Sequence, residues 1–153
     1  MTTLAKGIII GVVAVVLLVV IVIGILIGAG VTGWKAAVRS GNEAAALQSV
    51  KAIAVVEVQY FNTHNRTFGT FDQLVEDGLL DARFSGTPPV VDGYTFSLRV
   101  TPKTTSQQTS YTLNADPRNS ASGKNHFYLD STGGTIHVNA VQQASAKDPP
   151  LGE

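Results

Sequence analysis

Residues 7–31 limit what this chain can become more than any other stretch, because all 25 are Gly, Ala, Val, Ile or Leu. At about 1.5 Å of helical rise per residue they reach roughly 37 Å, more than the ~30 Å of a bilayer's hydrocarbon core. A secretory signal has an apolar run of only about 7–15 residues ahead of its cut site, so this one reads as a retained transmembrane helix. Residues 1–6 become a short cytoplasmic end or leader, and the rest of the chain is tethered. Gly7 and Gly11, then Gly24 and Gly28, form two small-xxx-small pairs, the spacing that lets helix backbones approach closely in lipid. The expected partners are therefore membrane lipid and other copies of the chain, a homo-oligomer, or related subunits.

Charge and motif content narrow the function by exclusion. The 11 basic and 11 acidic residues cancel and lie scattered, so no basic stripe suggests a nucleic-acid partner. With no cysteine the chain has no disulfide framework, thiolate metal site or Cys nucleophile. It carries no G-x-S-x-G, H-E-x-x-H or phosphate-binding glycine loop, so the expectation is no enzyme, no catalytic residues, no cofactor and no metal. Lys6 before the span and Lys35 with Arg39 after it nearly balance the positive-inside count. A domain rich in Thr, Ser and Asn favours the N-terminus in the cytoplasm and the domain in the periplasm or outside the cell.

Residues 32–41 read as a Gly-rich hinge. Gly30, Gly33 and Gly41 weaken a helix there, and Trp34 with Lys35 suits a membrane surface. From residue 42 the pattern is amphipathic: Leu47, Val50, Ala54, Val58 and Phe61 recur at spacings of three and four and form the expected helix–sheet core stripe. Glu57, beside that stripe, is expected to be a solvated helix charge and is assigned no chemistry. Asn62-Thr63-His64-Asn65 should stop the helix, and a short second one should run over residues 71–80, with Thr70 as N-cap and Gly78 near its end. The acids Asp72, Glu76, Asp77 and Asp81 make its solvated face.

The period then changes to two. Tyr94, Phe96, Leu98 and Val100 alternate with polar residues, as do Tyr111 with Leu113, Phe127 with Leu129, and Ile136 with Val138. Ser131-Thr132-Gly133-Gly134 joins the last two as a hairpin. The expected architecture is α+β: a long N-terminal helix, membrane-spanning then amphipathic, packed on a four-stranded antiparallel sheet within an extracytoplasmic domain of residues 42–139. In the second hairpin Tyr128 should face His137 and His126 should face Asn139, on the sheet's polar side. Two imidazoles are too few for a closed metal site, so that side is expected to be solvated. Residues 140–153 should be a flexible tail.

The order of elements resembles the type IV pilins and the pseudopilins of type II secretion, over about nine-tenths of the chain. The likeness rests on Asn42-Glu43-Ala44-Ala45-Ala46-Leu47-Gln48-Ser49-Val50-Lys51, Tyr60-Phe61, Phe68-Gly69-Thr70-Phe71 through Leu79-Leu80, Asn114-Ala115-Asp116-Pro117 and His126-Phe127-Tyr128-Leu129-Asp130. It implies a membrane-anchored structural subunit of a surface filament or secretion pseudopilus, with Gly7-Ile8 as the place where a leader would be cut. The chain departs from the family pattern in having Ile8 where an aromatic residue is usual, no acidic residue from Ile8 to Val31, and no cysteine pair. The alternative is a single-pass tethered binding or scaffold domain that does not polymerise.

Overall fold

The computed structural model describes the backbone of residues 3–152 and the side chains of residues 17–24 and 33–152. The chain divides into two compact units, Met1–Ala37 and Val38–Glu153. Helix α1 (Thr3–Thr63) contributes to both. The helical assignment runs through Gly30, Gly33 and Gly41. A glycine costs only about 1 kcal/mol relative to alanine, and helical turns on either side carry the ladder through it.

The helix ends where its turn-forming residues predict. Thr63 Oγ1 donates back to the carbonyls of Gln59 and Tyr60, and Asn65 and Arg66 turn the chain with φ of 49° and 58°. Helix α2 (Phe71–Glu76) starts at Thr70 in a capping box, with Thr70 Oγ1 accepting from Gln73 N and Gln73 Oε1 accepting from Thr70 N. A single 3₁₀ turn, Ala82–Phe84, sets Phe84 into the core, edge-on to Phe96 at 5.3 Å.

Five strands, not four, form one antiparallel sheet in the order β1-β2-β3-β4-β5. They are β1 (Val90–Val91), β2 (Tyr94–Thr101), β3 (Ser110–Pro117), β4 (His126–Asp130) and β5 (His137–Asn139). The extra strand is too short to show a period. It pairs with β2 through Asp92-Gly93, whose φ values of 49° and 78° are those of a primed hairpin turn. One face of the sheet presents Tyr94, Phe96, Tyr111, Leu113, Ala115, Phe127 and Leu129, all buried. The register puts Phe96 beside Ala115 and Ala115 beside Phe127, so the apolar face is continuous across three strands.

Against that face α1 packs Ala46, Val50 and Ile53, and the same buried stripe continues through Glu57 and Tyr60 to the loop after the helix, at Gly69. The expected stripe was one residue out of phase: Val50 belongs to it, Leu47, Ala54 and Phe61 sit at its margins half-buried, and Val58 faces outward at 56% exposure. Both stripes obey the spacing of three and four, and they differ by one residue, about 100° around the helix. Hydrophobicity alone favours the version that leaves the carboxylate out.

The C-terminal segment is folded rather than loose. Pro150 bridges His137, Val138 N donates to Pro149 O and Leu151 N donates to Ile136 O, which covers the open edge of β5. Asn114 Nδ2 holds the carbonyl of Ala144, and Ala144 is buried. The order comes from side chain to backbone hydrogen bonds that leave no periodicity to read.

Candidate functional site

A carboxylate lies on the buried side of α1, against the loop that follows the helix. Glu57 is fully buried, its Oε2 accepts from Gly69 N at 2.9 Å and its Oε1 has no partner among the described residues. Burial pushes its pKa from 4.5 up to about 7, opposed by the Gly69 hydrogen bond. Burial raises the nearby Tyr111 phenol as well, to about 12, and the charge of Glu57 adds to that. The contact fixes the loop after α1: an atom added at Gly69 would stand 3.0 Å from Leu74 Cδ2 and 3.2 Å from the Tyr60 ring. Glu57 thus ties loop to helix. The spacing Ala46, Val50, Ile53, Tyr60 contains the position, and it is the one sequence signal for a buried Glu57.

A second pair of α1 residues holds the β3–β4 loop. Glu43 Oε1 accepts from Lys124 N at 2.6 Å and its Oε2 from Asn125 Nδ2 at 2.9 Å, while Asn42 Nδ2 donates to Ser122 O. The loop lies flat because residue 123 is glycine; a Cβ there would overlap the Tyr94 hydroxyl, which itself donates to Asn125 O. In the sequence these two residues stand out only as part of a pilin-like pattern. Their role is to fasten a loop more than 75 positions away, a distance at which no spacing in the sequence signals contact.

What α1 leaves uncovered differs along its length. Leu17, Leu18, Val19, Val20, Ile21, Val22 and Ile23 are successive helical residues, apolar on every side and 45–64% exposed. Among the described residues no helix is long and apolar enough to cross a membrane; of residues 7–31 only 17–24 have described side chains. Within the domain the outward side of α1 carries Ala44, Gln48, Lys51, Ala52, Val55 and Val58, with Val55 at 68% exposure and Lys51 the one exposed charge between residues 42 and 63.

Of the glycines expected to pack helices, Gly24 lies among the residues whose surroundings are described. Gly24 is exposed and an atom added there meets nothing within 4 Å; the same holds for Gly33 and Gly41 of the hinge segment. The surroundings of Gly7, Ile8, Gly11, Gly28 and Gly30 lie outside what the structure describes.

The polar side of the second hairpin has the expected pairing, Tyr128 with His137 and His126 with Asn139. These residues are half-exposed and hydrogen-bonded, in part to the C-terminal segment. His126 Nδ1 lies 2.6 Å from Asp116 Oδ1, Gln143 Nε2 donates to the other Asp116 oxygen, and His137 Nδ1 lies 2.6 Å from Asp148 O. The two imidazoles are therefore engaged separately, and no group of three or more His, Asp or Glu converges among the described residues. Asp130, whose burial opposes ionisation, is held below the usual carboxylate range by hydrogen bonds from Thr132, Gly133 and Tyr128 and secures the hairpin turn. Comparison with protein-family models, with curated proteins and with solved structures finds no match to this chain.

Proposed function

We propose that the chain is a membrane-anchored, pilin-like structural subunit of an extracellular filament or secretion pseudopilus, and that it packs against its own copies through α1. The observation that carries this reading is the run Leu17–Ile23, exposed and apolar on every side. Such a helix is stable in water only when lipid or other helices cover it. The nearly uncharged outward side of α1 in the domain, centred on Val55 and Val58, supports lateral packing of the same helix. The role is structural: the buried Glu57 and the engaged histidines hold loops in place.

The second reading, a tethered domain that stays single, is favoured by one fact, the absence of any acidic residue from Ile8 to Val31. Without one, no intramembrane carboxylate can pair with a neighbour's amine, and association rests on close packing alone. Two measurements on the full chain in cell membranes decide. Alkaline carbonate should leave it in the membrane pellet, and its release would end the anchored reading. Chemical crosslinking should give an oligomer ladder that Val55→Lys combined with Val58→Lys abolishes while the domain's thermal melt stays in place. A wild-type protein that gives no crosslinked species larger than the monomer would leave the single tethered domain.

A further inference from the structure

The loop that Glu43 fastens borders an open pocket that the assembly surface does not use. The pocket, of about 290 Å³, lies between Arg39 on α1 and Asn119, Ser120, Gly123, Lys124 and His126. One water needs only about 10–15 Å³ on the same measure, so there is room for a small ligand. Its charged walls are both cations, Arg39 and Lys124, and no carboxylate lines it.

The polar groups around it have donors to spare. Arg39 Nε is buried without a partner, and neither Arg39 nor Lys124 meets a carboxylate within ion-pair distance among the described residues. Asn119 uses its Oδ1 to accept from Ala121 N, Ser122 N and Ser122 Oγ, which leaves its amide NH₂ as a donor. The acids nearby in the fold are already committed. Glu43 accepts from the Lys124 and Asn125 backbone, and Asp116 is taken by His126 and Gln143. A guanidinium, an ammonium, an amide NH₂ and a hydroxyl around one cavity, with no competing anion, match the oxygens of a tetrahedral oxyanion.

We propose that this pocket is a phosphate-binding site. Its volume leaves space for the group esterified to the phosphate, so free inorganic phosphate and a glycerophospholipid headgroup are the two sources of the same chemistry. Only the lipid source rests on the membrane-anchored reading; the oxyanion site stands without it.

The test uses the full chain in dodecyl maltoside micelles, which contain no phosphate. Adding inorganic phosphate, against chloride at matched ionic strength, should shift the Gly123 and Lys124 amide signals and the His126 ring signals saturably. Arg39→Gln should weaken that response at least tenfold, with the core amides of Phe127 and Leu129 unmoved as the check on folding. A titration that moves none of the three reporters overturns the proposal, as do shifts that chloride reproduces or that Arg39→Gln leaves intact. Micelles doped with phosphatidylglycerol then identify the source. Reporters already shifted before phosphate is added mark the lipid headgroup, and reporters that still require phosphate mark the soluble anion.

Discussion

The two described stretches of α1 treat hydrophobicity in opposite ways. Over Leu17–Ile23 every position is apolar and every position is exposed, so apolar character says nothing about which side faces what. Over Ala46–Tyr60 the buried positions repeat every three to four residues, and one of them is an acid with no exposed surface. The difference teaches that burial in this helix follows geometry and not residue class. The sheet needs a continuous covering surface, and Glu57 occupies a place in it because Gly69 N supplies a hydrogen bond there.

The largest expected break between the two stretches comes from truncating isoleucines. Ile53→Ala, in the fully buried stripe, should lower the domain's unfolding free energy by about 2–5 kcal/mol. Ile21→Ala removes the same atoms from an exposed position and should leave the domain's melt within about 0.5 kcal/mol of wild type. Equal losses in urea titrations would erase the distinction.

Next is the pH dependence that Glu57 imposes. Its folded pKa of about 7 lies above the ordinary 4.5, so the folded chain keeps a proton that the unfolded chain releases between those values. Stability from this group is therefore full below pH 4.5, falls as pH rises through 7 and is flat above. The total change is about 3 kcal/mol, since each pKa unit is worth about 1.4 kcal/mol. Glu57→Gln should flatten this segment of the stability curve and raise stability at pH 8; a curve that keeps its slope in the variant would assign the effect elsewhere.

Glycines sharpen the comparison further. Gly123→Ala forces a methyl onto the Tyr94 hydroxyl and should cost about 1–3 kcal/mol, while Gly24→Ala meets nothing within 4 Å and should not destabilise the helix. The smallest effect is expected at Val58→Ala. This position is 56% exposed, so its change in unfolding free energy should stay within about 0.5 kcal/mol even though it matches the apolar spacing as well as Ile53 does.

How much of this was legible in the sequence can be read residue by residue. The alternation of Tyr94, Phe96 and Leu98, or of Phe127 and Leu129, stated its own face because a period of two has no competing phase once the apolar set is named. The cap at Thr70 and the stop near Thr63 rest on local hydrogen bonds and were equally plain. The strand β1, two residues long, left only its turn, Asp92-Gly93, as a signal. The phase of α1 was different. Leu47, Val58 and Phe61 competed with Ala46, Ile53 and Tyr60 on nearly equal terms, and only contact with the sheet chose between them.

The sequence by itself therefore determined the long apolar helix, the α+β order of elements, the strand faces and the pairing of His126 with Asn139, because each follows from neighbours along the chain or from a fixed period. The tertiary structure decided that Glu57 is inside, that the last residues cover the edge of β5, and that Arg39 meets Lys124 around one pocket. Those contacts join residues from about a dozen to more than 80 positions apart, through single hydrogen bonds and shared cavities. Such pairings depend on how whole elements dock, a quantity that no local pattern encodes.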